Sequence, residues 1–535
     1  MRLQVLILII LLGGVLRFTY INWDSFQSFH PDERNISWAV TRIRFFSQMN
    51  PQFFAYGGLP VYLYRAIGEV VVRVSGNPDW LFDWGHIAVI GRYISATLST
   101  ISILLIYFVG SLYFSRPAGL ASAAFLAFSP WAIREAHFST TETMLVFFLL
   151  LLLLFAKKIT MERVLILGVV WGVALGAKTT SLLFGIIPLA AIWIPDFLKK
   201  FSRKFLFTVL LFAAAGLFFF LFSPYTILDF GHFRESMTYE TGVALGRLSV
   251  PYALQFVGTM PYLYQITTML WQAGPLVIVG LLGLILLALQ KKYIVFLLFP
   301  LLYFTWAGSW FAKFSRYNVP LLPFITLAAA WLSVALIKRF RVAGLTFTAL
   351  LLFITFLWGM ANWRVYMRPQ TKIEATKWIY DHIPTETLIY TEHWNDGLPL
   401  DLPDEVNRVY YDSRELLNVY DEPDNEEKKA YYADKLAAGD YILFSTRRIW
   451  ATMPKLKEKY PVTSFFYERL LRGELGYAEV KRFTSYPKLF GWEVNDDSAE
   501  ESVQVFDHPT VRIFQNTEYL SKEEIYKRLM SSMGS

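Results

Sequence analysis

Two adjacent carboxylates stand in the first polar loop of the chain, which reads Phe29-His30-Pro31-Asp32-Glu33-Arg34 directly after an apolar stretch. A carboxylate held near a membrane surface can accept a proton from an acceptor hydroxyl or amine and turn a weak nucleophile into a useful one. The plainer reading makes Asp32 the N-cap of a helix over Ile36 to Phe46. That segment is amphipathic, with Ile36, Val40 and Ile43 on one face and Arg34, Thr41 and Arg44 elsewhere, so it is expected to lie flat in the interface. His30 and Tyr56, in the same loop, are further candidates.

Cations follow at wide spacing. Ser129-Pro130-Trp131 precedes Arg134, His137 and Glu142, and Arg134 and His137, three apart, share a helical face. An ionisable residue in or beside an apolar span is costly and marks function by default, although one at a span end can simply snorkel. Lys178, in Gly176-Ala177-Lys178-Thr179-Thr180, ends another apolar stretch. A lysine there suits the helix dipole, and it can equally hold a lipid-linked phosphate. Tyr225 and Asp229 follow a later span, and Lys313 with Arg316-Tyr317 precedes Pro320 and Pro323. Each signal alone is weak; together they give a carboxylate pair and a set of cations on one face.

The elements that must bring these residues together are membrane helices. At 535 residues, 55% hydrophobic and only 17% charged, the chain is too apolar for a soluble fold of its size. A bilayer core needs about 20 apolar residues per helix, and that template finds eleven stretches, near 3–22, 87–114, 118–136, 139–156, 164–178, 180–196, 205–223, 273–290, 293–308, 319–337 and 342–361. The first has only Arg2 ahead of it and no small-residue cleavage site after it, so it reads as a retained span rather than a signal peptide.

With the N-terminus in the cytoplasm, the inside loops carry Arg116, Lys157-Lys158, Lys199-Lys200 with Arg203-Lys204, Lys291-Lys292, and Lys338-Arg339 with Arg341, as the positive-inside rule asks. The 23–86 and 224–272 loops, the turns near 137 and 178, and the 309–318 turn then lie outside, with every candidate above. The net charge of +7 is explained by these loop anchors, and no nucleic-acid partner is expected. Cysteine is absent, which excludes disulfides, thiolate catalysis and Cys-ligated metals. After Trp363 the composition turns polar, and short β-rich runs (387–391, 441–445) alternate with helical ones (373–382, 426–437). The expected division is a transmembrane domain over 1–362 and an extracytoplasmic soluble α/β domain over 363–535.

The order of His30-Pro31-Asp32-Glu33, Tyr56-Gly57-Gly58-Leu59-Pro60-Val61-Tyr62, Arg134-x-x-His137, Gly172 to Lys178 and Arg316-Tyr317 resembles the polytopic GT-C glycosyltransferases. Within them it is most similar to the branch of protein O-mannosyltransferases and aminoarabinose transferases. In the tail, Ala375 to Ile379, Glu392-His393-Trp394-Asn395-Asp396 and Phe506-Asp507-His508-Pro509 look like segments of bacterial relatives. The resemblance implies a GT-C fold and transfer of a sugar from a polyprenyl-phosphate carrier to a lipid, glycan or protein acceptor, outside the membrane and with inversion. It implies Asp32 as base, Glu33 beside it orienting acceptor or base, and Arg134, His137, Lys178 and Arg316 on the carrier phosphate. The chain departs from the branch at Glu142, where relatives more often place an Asp.

Two other readings stand beside this one. A lipid-sugar flippase would also carry intramembrane charges, but near the midplane and in repeated halves, and no repeat is visible here. A noncatalytic scaffold needs no carboxylate among cations. The tail is expected to cap the site or shield it, with His393 and His508 structural rather than ligands. A divalent cation at Asp32 and Glu33 is left open, since adjacent acids are no site signature alone. The sequon Asn35-Ile36-Ser37 beside the proposed base favours a prokaryotic plasma membrane, where no lumenal glycan would crowd it.

Overall fold

The computed structural model describes residues 2–194, 200–402, 414–420 and 424–530; Lys199, one of the expected loop anchors, lies outside them. The chain forms two compact units. One comprises Met1–Leu248, Gly258–Arg364 and Lys488–Trp492; the other comprises Ser249–Val257, Val365–Pro487 and Glu493–Ser535. The sequence reading expects a single boundary near 362 and does not anticipate the exchanged segments 249–257 and 488–492.

The first unit is helical. A helical segment falls on each of the eleven apolar stretches, but among the described residues only four runs are long and apolar enough to cross a bilayer unaided: Trp84–Tyr113, Phe201–Phe222, Ser315–Arg339 and Arg341–His382. The others are short or interrupted, for identifiable reasons. The third stretch breaks into Arg116–Phe128 and Pro130–Ala136, because Pro130 has no N–H to continue the ladder. The carbonyls freed at the break do not go unpaired: Arg17, fully buried at the end of helix Arg2–Phe18, donates to Leu126 O and Ala127 O, both at 2.9 Å. The sixth begins as a 3₁₀ turn, Thr179–Gly185, before its helix Ile186–Trp193. Helices Pro275–Ala288 and the run Lys291–Gly308 meet at 114° across the Lys291-Lys292 turn.

Between the first two apolar stretches a helix forms over Pro31–Arg42, earlier than the expected Ile36 to Phe46 because Ile43 is already extended, with Ile36 and Val40 fully buried. A second helix, Gly58–Ser75, follows it. Helix Phe230–Ala244 lies in the loop after Phe201–Phe222.

The second unit is α/β. Strands β1 (Ile389–Glu392), β2 (Arg414–Leu417), β3 (Tyr441–Phe444), β4 (Tyr477–Phe483) and β7 (Val511–Asn516) form one sheet in the order β2-β1-β3-β7-β4; among the described residues, β5 (Lys488–Leu489) and β6 (Trp492–Glu493) pair only with each other. β1 is parallel to β2 and β3, with Ile389 opposite Arg414 and Tyr441; β7 is antiparallel to β3 and β4. Helices Thr371–His382, Glu426–Ala438 and Pro461–Leu471 accompany the sheet. Its core joins Tyr390, Ile442, Phe444 and Phe514 to Tyr432 and Phe466, and also to Leu254 from the exchanged segment.

Candidate active site

Helix Pro31–Arg42 opens differently from the expected cap. His30 is the N-cap: its Nδ1 accepts the Asp32 N–H at 3.1 Å, and Pro31 occupies the first helical position. Burial pushes the His30 imidazole down to about 3, so it stays neutral and can serve as an acceptor. Asp32 is therefore relieved of capping, and its carboxylate accepts from Arg316 Nη1 instead. The Tyr56 hydroxyl is hydrogen-bonded to the same carboxylate. Burial by itself would raise the Asp32 carboxyl; Arg316 first, then the Tyr56 hydrogen bond and Lys178 outweigh it and hold the group below the usual carboxylate range.

Arg316 comes from the 3₁₀ turn Ser315–Leu321 and lies over the rings of Phe314 and Tyr317, 5.1 and 5.9 Å from their centres. Lys178 ends helix Met161–Ala177; its Nζ reaches Glu142 Oε1 at 2.8 Å and sits 5.0 Å above the Tyr56 ring. What sets Tyr56 against Lys178 is a backbone contact. Gly57 N–H donates to Ala177 O at 3.0 Å, and a Cβ on Gly57 would stand 2.0 Å from Gly176 O, so only glycine fits. Glu142 begins helix Glu142–Ala156 and is buried, with Oε2 unpartnered. Arg134 stacks on Phe138 at 5.0 Å and stands 3.7 Å from Glu135, and it acts electrostatically on His30.

A cavity of about 310 Å³ opens beside these groups, bordered by Lys178, Thr179, Glu240, Trp306, Trp310 and Tyr317. Trp306 and Trp310 meet edge to face at 4.5 Å, and Trp310 meets Tyr317 in the same way at 5.3 Å. Glu240, on helix Phe230–Ala244, was not among the expected residues. It interacts electrostatically with Arg316, Asp32 and Lys178, and burial raises its carboxyl. Nothing in its neighbourhood in the sequence, Met237-Thr238-Tyr239-Glu240-Thr241, marks it; only the fold brings it to the cavity.

Several expected residues are placed elsewhere. Glu33 points away from Asp32: its oxygens accept from Arg92 Nε and Nη2 at 2.9 and 2.6 Å and from Ser139 N–H at 2.6 Å, while Arg92 also binds Asp24 at 2.5 and 2.8 Å. Neighbours on a helix diverge by about 100°, so one acid of the pair meets Arg316 and the other meets Arg92. Arg92, an arginine inside an apolar span, was the available signal for this buried network. His137 is fully buried, its ring between Ile133 O at 2.8 Å and Thr19 O at 3.0 Å, and so ties two helix ends together rather than facing a phosphate. Lys313 is turned to Phe311 O at 2.8 Å. Asp229 is held by Asn50 at 2.8 Å and His232 at 2.7 Å. Tyr225 interacts with Tyr62. The residues do not suit a divalent ion: Glu33 is committed to Arg92, Asp32 has Arg316, and among the described residues no three His, Cys, Asp or Glu gather as a ligand set.

The comparisons with known proteins match this geometry at the level of fold. A family model described as dolichyl-phosphate-mannose-protein mannosyltransferase matches residues 84–227. The apo crystal structure of the Archaeoglobus fulgidus oligosaccharyltransferase superposes with a TM-score of 0.55 at 15% identity, over 93% of this chain and 75% of that one. The membrane part has the GT-C glycosyltransferase fold. The same GT-C enzyme in complex with zinc and sulfate gives a TM-score of 0.52 at 16% identity, over 92% and 73% of the two chains. ArnT from Cupriavidus metallidurans bound to undecaprenyl phosphate gives 0.48 at 13%, over 95% and 97%. A comparison with curated proteins gives no match.

Proposed function

We propose that the protein transfers a sugar from a polyprenyl-phosphate carrier to an acceptor on the outer face of a prokaryotic plasma membrane, with Asp32 as the base and with inversion at the anomeric carbon. The observation that carries the reading is the Asp32–Arg316 pair beside Lys178 and a cavity of about 310 Å³: a proton acceptor stands next to the cations that a departing phosphate needs. The matching family's description names a dolichyl-phosphate-mannose donor, which is the same class of lipid-linked sugar.

In this reading the donor phosphate competes with Asp32 for Arg316. Once the guanidinium turns to the phosphate, the carboxylate loses its strongest stabilising charge while its burial persists, so it becomes a better base when a donor is in place. The acceptor's hydroxyl or amine proton passes to Asp32, the nucleophile attacks the anomeric carbon, and the C–O bond to phosphate breaks with its electron pair. The phosphate leaves with extra negative charge, which Arg316 and Lys178 stabilise in a site of reduced dielectric. A single displacement inverts the anomeric centre. Arg134 adds positive potential, and Glu240 with the Trp306–Trp310 wall faces the sugar or the acceptor.

The test is Asp32→Asn in proteoliposomes supplied with polyprenyl-phosphate sugars, read as release of the free lipid phosphate, a product common to every donor sugar. Loss of a general base lowers turnover by about 10²–10⁴-fold, with donor binding retained. Full turnover in the variant would remove Asp32 as base. Unimpaired lipid translocation without phosphate release in the parent protein would favour the flippase reading instead.

A further inference from the structure

The β5–β6 hairpin carries two aromatic rings with nothing over them: Phe490 is 82% and Trp492 is 83% exposed. The hairpin is joined to no other strand, and two strands of two residues are marginal by themselves in water. Its two central residues, Phe490 and Gly491, have φ of 49° and 86°, the pattern of a type I′ turn, whose ordinary occupants are Asn-Gly or Asp-Gly. A bulky aromatic in that left-handed position is a poor choice for a turn that faces water, since it gives up backbone comfort to hold a ring outward. Leu489 and the part-exposed Val494 extend the apolar tip, and charge appears only at its base, with Lys488 and Glu493. Lys481, exposed on β4, adds a second cation in that part of the chain.

We infer that this hairpin is a membrane-interface anchor, its Phe490 and Trp492 rings seated at the boundary between headgroups and acyl chains. Two observations select lipid over a protein partner. Aromatic rings on a short amphipathic element whose base carries Lys488 are the composition of that boundary, where Trp sits at the headgroup level and a lysine reaches the phosphates. The chain reaches this unit straight from a span, Arg341–Tyr366, so the unit is tethered at the bilayer surface. The anchor would hold the hairpin tip at the bilayer surface, independently of what the protein transfers.

The chain has no cysteine, which makes the test direct. Phe490→Cys and, as an aqueous reference, Glu523→Cys are labelled with an environment-sensitive fluorophore in the full-length protein, reconstituted into phosphatidylethanolamine–phosphatidylglycerol vesicles. At 490 the expected result is blue-shifted emission, quenching by lipids spin-labelled high on the acyl chain, and loss of iodide quenching; at 523 none of these appears. Emission at 490 that matches the reference, with full iodide quenching, overturns the proposal. So does a blue shift that follows protein density but ignores the spin-labelled lipid, because that would mark contact with a second copy.

Discussion

At the scale of single residues, the neighbours Asp32 and Glu33 have opposite assignments. Asp32 faces Arg316, and Glu33 locks into Arg92 and Ser139. Their substitutions are expected to fail in different ways. Asp32→Asn should leave folding intact and cut turnover, whereas Glu33→Gln should lower stability by about 1–3 kcal/mol, because an amide replaces the carboxylate that accepts from Arg92 and Ser139 N–H while Asp24 still neutralises Arg92; thermal unfolding of the two variants in detergent separates them. Lys178→Met removes one of the cations proposed to hold the phosphate and should raise the barrier by about 2.7–4 kcal/mol, as for a lost oxyanion-hole donor, seen as a fall in kcat. The exchange of Arg316 from carboxylate to phosphate has a pH signature. Free Asp32 lies below the usual range because Arg316 and its other partners outweigh burial, and in the proposed mechanism a bound donor takes Arg316 away. The acid limb of kcat is therefore expected at higher pH than the acid limb of kcat/KM, and coincident limbs would argue against the exchange.

Elements, not residues, decide whether these groups meet. Gly57 against Gly176 O is the joint that carries Tyr56 to Lys178, and Gly57→Ala, with its Cβ 2.0 Å from that oxygen, should separate them and cost activity even if the chain still inserts. The helical segments were legible because each falls on an apolar stretch, although among the described residues only four runs are long and apolar enough to cross a bilayer unaided; the breaks were less so. Pro130 marks one in the sequence, but the carbonyls it frees are taken by Arg17, 110 and 109 residues away, and no local pattern reveals such a pairing. The site was half legible on the same grounds. Asp32, Lys178 and Arg316 stand out as ionisable groups next to apolar stretches, whereas Glu240 sits in an ordinary polar loop and earns its place through folding alone. His30 was noticed for its chemistry and proves to be a cap.

For the molecule as a whole, pH acts most visibly on the second unit. His508 is buried between Asp496 at 2.8 Å and Asp507 at 2.6 Å, and although burial opposes it, these two carboxylates raise the imidazolium to about 10. The folded value lies above the ordinary one near 6.5, so this stabilisation is complete below about pH 6.5 and fades as pH rises toward 10, by about 1.4 kcal/mol per pH unit across that interval. Thermal melts at pH 6 and pH 9.5 should show the loss in the parent protein and a flatter response in His508→Gln, whose starting stability is lower.

The exchanged segment Ser249–Val257 has a consequence for anyone who would cut this protein apart. Leu254 is delivered to the core of the α/β unit from a loop that precedes it by more than a hundred positions. A tail expressed by itself from residue 365 would keep every strand yet leave a hollow where that leucine belongs, at a cost of about 2–5 kcal/mol by analogy with Leu→Ala changes. The natural unit of inheritance, transplantation and rescue is thus the uncut polypeptide: a tail borrowed from a relative must bring its matching nine-residue loop, or arrive partly molten.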